Sequence, residues 1–352
     1  MHNPAKIAVI IPCYKVRKHI VKVVKGIGPE VTGIYVVDDA CPEDSGRFLA
    51  QNCRDPRLKI IYQDCNSGVG GATLRGFSQA AQDGYDILVK LDGDGQMDSN
   101  LISCLTEPVC AGEADYAKGN RFFSPRTLKK MPKIRLFGNG VLSFVTKVSS
   151  GYWNIMDPTN GFIAIHARAF RLLDHAQIER RYFFESDMLY RLHLLNAVVV
   201  DIPMNAIYED EVSSLKISQI IGQFMINHLN CFFKRITYEY FVREINIGST
   251  QIVAGTFSLV FALIYGGYFW ISGIREGHAN QPGVIVISAV ALILGIQFLL
   301  SALNFDISRR QAFPIHLLPE KGIRHQKLSS SPDHNSPGAL ASTDPQESRK
   351  IH

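Results

Sequence analysis

The features this 352-residue chain lacks narrow its reading first. Its seven cysteines (Cys13, Cys41, Cys53, Cys65, Cys104, Cys110 and Cys231) form no Cys-x-x-Cys pair, and none stands among histidines at zinc-ligand spacing. That pattern carries no zinc or dithiol signature and suits reduced thiols in a cytosolic environment. A clustered basic stripe is also missing: 37 Lys+Arg stand against 32 Asp+Glu, a net charge of +5, so nucleic acid is not an expected partner. The small excess suits a protein lying against anionic lipid. Nor is there a signal-peptide core, because the first apolar run, Ile7 to Ile11, is short and ends at Pro12.

Long apolar runs appear only near the C-terminus. Gly248 to Ile274 and Ala279 to Phe305 carry no charge, and each is long enough to cross a hydrocarbon core of about 30 Å. Both read as transmembrane helices, the alternative being a buried hairpin of a soluble protein. Basic residues gather outside the pair at Lys234, Arg235, Arg243, Arg309 and Arg310, so the positive-inside bias places both chain ends in the cytoplasm. Ser213 to Ile247 mixes Ile, Phe and Tyr with lysine and arginine and suits helices in the headgroup region. The tail after Pro319 is polar, rich in serine and proline, and is assigned no structure. The expected organisation is therefore a cytoplasmic domain over residues 1–212, interfacial helices over 213–247, a two-helix transmembrane hairpin over 248–306 and a disordered tail over 319–352.

Up to about residue 200, short apolar runs alternate with longer amphipathic ones, the signature of strands joined by crossover helices. Ile7–Ile11, Ile34–Val37, Leu58–Tyr62 and Ile87–Leu91 are the strand candidates. An α/β fold with a mostly parallel, Rossmann-like sheet follows, with ligands beyond the C-terminal strand ends.

Chemistry should therefore lie just after these runs. Asp92-Gly93-Asp94-Gly95-Gln96 follows the fourth, and two carboxylates one residue apart can face a single hard cation whose other ligands are water and phosphate oxygens. An Asp-Gly turn is the plainer alternative. Asp38-Asp39 ends the second run, and Pro12-Cys13-Tyr14 ends the first, where a carboxylate can accept from a base or ribose and Tyr14 can pack on a ring or in the core. Asn66 to Gly76 places glycines, Gly70 among them, at an apparent helix start, where backbone and anion can approach. No Gly-Lys-Ser/Thr follows, so this is not a Walker loop.

Taken in order, Pro12-Cys13-Tyr14, Val37-Asp38-Asp39, Asn66-x-Gly-x-Gly-x-Ala, Asp92-Gly93-Asp94-Gly95-Gln96 and Gly119-Asn120-Arg121 resemble family 2 glycosyltransferases, in particular the dolichol-phosphate mannose synthase and bactoprenol glucosyltransferase group. The resemblance covers roughly residues 6 to 216 and implies a GT-A fold; the two-helix anchor is similar to the bactoprenol glucosyltransferase type. It implies that Asp92, Asp94 and Gln96 hold Mg2+ or Mn2+ and the donor diphosphate, and that Pro12, Tyr14, Asp38 and Asp39 hold the nucleoside. Arg121 and Arg135 match arginines near donor and acceptor phosphates, a task that suits a guanidinium fork. Asp157 begins a segment resembling the acceptor loop, Glu185-Ser186-Asp187 falls where a later acidic pair belongs, and Ser213, Ser214 and Lys216 resemble a Ser-Lys element.

The function so implied is inverting transfer of a hexose from a UDP- or GDP-sugar to a polyprenyl phosphate, dolichol or bactoprenol, at the cytoplasmic membrane face. A phosphate acceptor is already mostly dianionic at neutral pH, so Asp157 and Asp187 are expected to position groups or balance charge. The alternatives are transfer to a glycolipid or polysaccharide hydroxyl, which requires a base, and a non-catalytic nucleotide-sugar scaffold. The processive Gln-x-x-Arg-Trp element is absent after the acidic pair. Two departures leave the nucleotide base open: Lys15-Val16 stands where many relatives have Asn-Glu, and Ala40-Cys41-Pro42-Glu43-Asp44 replaces Gly-Ser-x-Asp. Gly266-Gly267 in the first apolar run could pack against a second copy.

Overall fold

A computed structural model describes residues 4–123, 133–204 and 217–319 of the chain. Seven strands, β1 (Ile7–Cys13), β2 (Gly33–Asp38), β3 (Leu58–Tyr62), β4 (Ile87–Lys90), β5 (Tyr116–Asn120), β6 (Ile163–His166) and β7 (Val199–Pro203), form one sheet in the order β3-β2-β1-β4-β6-β5-β7. All neighbours are parallel except the two pairs made by β6. This is the mostly parallel sheet expected, and the four strand candidates are β1 to β4.

Strands buried on both faces read as unbroken apolar runs, as IAVIIPC of β1 does. Ile7, Val9 and Ile11 turn to one face, where they meet α1 (Ile20–Lys25), α2 (Ser45–Asn52) and α4 (Ile102–Cys110) through Ile20, Leu49 and Ile102. Helix α3 (Gly68–Gln82) covers the other face so closely that Gly76 rests against Ile10 and Val37, leaving no room for a Cβ. After β5 come α5 (Lys133–Ser150), β6, α6 (Ala167–Leu172), α7 (Phe184–Leu194) and β7, and then α8 (Ile217–Thr237), which runs into a π-helical turn at Tyr238–Arg243.

Two long helices follow, α9 (Ile247–Glu276) and α10 (Pro282–Ser308), both long and apolar enough to cross a membrane. Only 11% and 6% of their most apolar stretches are buried, unlike core helices of a soluble protein. Asn246 and Ser249 form a reciprocal capping box that starts α9, and Gly277 ends it in the left-handed region (φ 69°). The helices approach through small residues: a Cβ on Gly295 would lie 2.8 Å from the Leu259 backbone nitrogen. Gly266 faces Ser288 within the same hairpin, while Gly267 is open.

A buried polar seam fastens the hairpin to the rest of the chain. Asp306 of α10 accepts from Arg235 Nη1 (2.7 Å), Tyr240 Oη (2.8 Å) and Trp153 Nε1 (2.9 Å), and Arg235 also pairs with Glu239 at 3.1 Å. Removing one partner of such a buried pair strands the other charge and costs about 3–5 kcal/mol. Beyond α10 the chain returns to Asp115, just before β5. That fully buried carboxylate accepts from the backbone N–H groups of Val198, Ile315 and His316 and lies 2.7 Å from His316 Nδ1.

Candidate active site

Strand register brings the predicted nucleoside residues together. Pro12 pairs with Val37 and Cys13 with Asp38, so Tyr14, 43% exposed, stands beside Asp39 at adjacent strand ends. The backbone here is strained: Lys15, Ala40 and Asp44 have φ of 58°, 50° and 50°, in the left-handed region that side chains rarely adopt. The Lys15 N–H reaches Cys41 Sγ at 3.0 Å, tying one loop to the other. Lys15 and Ala40 are the positions where the resembling family carries Asn and Gly, the residue types that tolerate this conformation best.

The Asp38-Asp39 pair is committed to backbone. Asp38 accepts from Cys41 N and Gly46 N, both at 2.8 Å, which shapes the loop into α2. Asp39 accepts from Ser67 N (2.7 Å) and Oγ (3.0 Å), from Gln63 Nε2 (3.2 Å) and from Gly68 N (2.9 Å). It thereby occupies the N-terminus of α3, and the Arg180 carbonyl takes the Gly71 N–H at 3.0 Å. A Cβ on Gly70 would lie 2.7 Å from the Phe184 ring of α7, so this glycine allows close packing of α3 against a neighbouring helix.

At the end of β4 the arrangement differs. Asp92 and Asp94 are half-buried, and Asp92 Oδ1 lies 2.6 Å from Lys90 Nζ, whose side chain is fully enclosed. Glu185 of α7 stands 3.4 Å from the same ammonium. Burial alone would push the Lys90 ammonium down, but Asp92 and Glu185 outweigh it and hold its pKa above the ordinary value. Gly161 closes this corner: a Cβ there would lie 2.7 Å from Asp92 Oδ2 and would collide with Lys90 Nζ. The Asp94 carboxylate accepts from Gln96 N at 3.0 Å, which folds the Gln96 backbone back over the turn.

The next corner lies across β6. Lys118 of β5, buried, donates to the Asn160 carbonyl; burial pushes its ammonium down to about 8 against the pull of Glu185 and Asp157. Arg121 grips Asp157 with Nε (2.7 Å) and Nη2 (2.9 Å), and its backbone N–H adds a third bond at 3.1 Å. Asp157 is fully buried and its carboxylate is tied to Arg121, an arrangement suited to holding a guanidinium in place and not to abstracting a proton.

Asp187 is not brought to this cluster. Its carboxylate accepts from Arg191 Nε (2.8 Å) and Glu179 N (2.9 Å), away from Lys90. Two positions apart on a helix at 3.6 residues per turn, Glu185 and Asp187 cannot share a face, so the first of the pair meets the site. Lys216 lies outside the described residues, as do Ser213 and Ser214; Arg135 falls in the first turn of α5, but its side chain is also outside them. Lys90 and Lys118 were missed by sequence reasoning, which had Glu185 in the later acidic pair and Gly161 in the segment that Asp157 begins. A lysine closing a run of buried β residues, as in Ile87–Lys90, was the available signal.

A divalent cation fits the β4 end. Among the described residues no group of three His, Cys, Asp or Glu is gathered as a metal cage, so the donors at this end would be the two carboxylates on a turn opposite a side-chain-free glycine. Such a sparse oxygen set suits Mg2+ or Mn2+ that keeps water and takes phosphate oxygens, and it does not suit zinc.

The mostly parallel sheet with its antiparallel β6, and the acidic turns after β2 and β4, agree with the GT-A fold that the sequence resemblance implies. Residues 8–173 match the family described as glycosyl transferase family 2. The chain is 27% identical over 230 residues to a UDP-N-acetylglucosamine–dolichyl-phosphate N-acetylglucosaminyltransferase of Methanococcus voltae, covering 61% of this chain and 91% of that one. It is 30% identical over 197 residues to an undecaprenyl-phosphate mannosyltransferase of Micrococcus luteus, covering 55% and 79%. Among solved structures, glucosyl-3-phosphoglycerate synthase of Mycobacterium tuberculosis, in complex with Mn2+, UDP and phosphoglyceric acid, is similar with a TM-score of 0.47 and 16% identity over 66% of this chain and 78% of that one. The chain belongs to glycosyl transferase family 2.

Proposed function

We propose that the chain transfers a hexose, with inversion, from a UDP- or GDP-sugar to a polyprenyl phosphate at the cytoplasmic face of a membrane. The observation that carries this is the Asp306 seam, which fastens an apolar hairpin to the catalytic unit and so keeps the cleft beside the bilayer, where a phosphate on a long lipid is found. The relatives named for dolichyl and undecaprenyl phosphates support the acceptor class.

In the reaction, a phosphate oxygen of the lipid forms a bond to the anomeric carbon as the bond from that carbon to the nucleotide diphosphate breaks, its electron pair leaving with the diphosphate. No proton must be removed from a mostly dianionic acceptor. That agrees with Asp157 held by Arg121 and Glu185 facing Lys90, an arrangement that serves positioning better than base catalysis. Asp92 and Asp94, with Gln96, are the residues that would hold Mg2+ or Mn2+, which supplies positive charge to the departing diphosphate. Pro12 and Tyr14 would border the nucleoside, with Asp38 and Asp39 shaping the loops around it. Arg121 would meet phosphate, joined by Arg135 and Lys216. Residues 1–212 and both chain ends would lie in the cytoplasm, with 213–247 at the interface and 248–306 across the membrane.

The test is incubation of the full chain in detergent with radiolabelled UDP-glucose, UDP-N-acetylglucosamine or GDP-mannose and a short polyprenyl phosphate. A metal-dependent, organic-extractable, sugar-linked lipid phosphate is expected from one donor. Donor binding without turnover across this set would overturn the proposal in favour of a scaffold.

A further inference from the structure

Helix α5 is built inside out. Ser143, Thr146 and Ser149 point into the protein and are buried, while Leu136, Phe137, Val141 and Phe144 point outward. Phe137 is 75% and Phe144 59% exposed. A helix on a water-soluble surface shows the opposite arrangement, with its apolar stripe on the core. One inward hydroxyl meets α8, whose buried side is polar as well: Ser149 Oγ lies 2.7 Å from His228 Nδ1, and Arg235 Nη2 donates to the Val148 carbonyl at 2.9 Å, while Thr146 Oγ1 turns back to the Leu142 carbonyl of its own helix. Helix α8 in turn exposes Leu229 and Phe233.

This outward face is continuous with the level at which the hairpin ends. The Phe144 ring meets Trp153 edge-on at 6.4 Å, and Trp153 donates to Asp306 near the C-terminal end of α10. The sequence of α5, KIRLFGNGVLSFVTKVSS, contains lysine and arginine but no acidic residue. An apolar stripe on a helix whose charged residues are all cationic, beside the end of a long apolar helix, matches an anionic headgroup layer over acyl chains.

We infer that the outward face of α5, a helix within the catalytic unit itself, is a lipid-binding surface that rests in the headgroup layer. The catalytic unit then has its own footing on the bilayer, separate from the hairpin and from α8, and the Asp157 loop that follows α5 is held near the membrane surface. This does not depend on which sugar or acceptor the site uses.

The full chain carrying p-benzoylphenylalanine in place of Phe137, or separately Phe144, is reconstituted in vesicles of phosphatidylethanolamine and phosphatidylglycerol and irradiated. A mass increase of one phospholipid is expected at both positions, well above that obtained with the same probe replacing Arg47. The Arg47 side chain is 73% exposed on α2, which packs beside β2 and β3. Adducts to a second copy of the chain, adducts elsewhere within the same chain, or lipid adducts no more frequent than at position 47 would each overturn the inference. The readout is independent of transfer activity, so its failure and that of the proposed reaction are told apart.

Discussion

The two acidic turns of the sheet, Asp38-Asp39 after β2 and Asp92-Gly93-Asp94 after β4, look interchangeable in sequence and do different work in the fold. The first pair is buried and accepts hydrogen bonds from backbone N–H groups of Cys41, Gly46, Ser67 and Gly68, so its charge organises loops. The second pair is half-buried, with Asp92 against the enclosed Lys90 ammonium and Asp94 accepting from Gln96 N on its own turn, so no neighbouring helix draws on its charge in the bonds described. The difference teaches that what a carboxylate at a strand end does depends on how many backbone donors the next helix turns toward it.

Mutation sharpens the contrast, beginning with its largest effect. Asp94→Asn should lower sugar transfer by about a hundredfold or more, the scale on which single electrostatic contacts to a leaving group act. It should leave the melting temperature close to that of the parent, as read by fluorescence in detergent. Asp39→Ala should do the reverse, costing about 3 kcal/mol of stability in a denaturant titration because several buried donors lose their acceptor. Equal loss of stability in both variants would break the distinction between the two turns.

A smaller effect concerns the buried lysines. With a folded-state pKa of about 8, below the ordinary 10.5, Lys118 binds fewer protons in the folded than in the unfolded chain between those values. Stability should therefore rise with pH through that window. Lys118→Met should flatten the rise, and a denaturation series from pH 7 to pH 10 on the two proteins measures it. The smallest effect lies in the loop that Asp38 organises: Ala40→Gly should stabilise the chain by about 0.5 kcal/mol, the relief of left-handed strain less the added freedom of glycine when unfolded. A loss on that substitution would mean that Ala40 packs for more than its backbone costs.

Much of the architecture was legible. The runs ending at Pro12, Asp38 and Asp92 were read as strands because continuous burial leaves a continuous apolar record, and the hairpin because charge is absent from Gly248 to Ile274 and from Ala279 to Phe305. Strands β5, β6 and β7 escaped because Tyr116–Asn120 hides a buried lysine among glycine and asparagine, Ile163–His166 runs directly into α6, and Val199–Pro203 is broken by Asp201 and ends in proline. Of the site, the acidic turns were visible as motifs. Their division of labour was not, since it depends on N–H groups that any sequence supplies. The close packing at Gly70 was not legible either, since Phe184, which fills the space beside it, lies far along the chain.

The fastening of Asp115 bears on how the protein is made. Three of its four donors, the two backbone groups of Ile315 and His316 and the imidazole of His316, follow the hairpin in the chain. These residues leave the ribosome after β5 to β7, so Asp115 completes its donor set only when the hairpin has folded back and returned the chain to β5; until then the Val198 N–H is its one donor among the four, and docking of the C-terminal segment is a late step of folding.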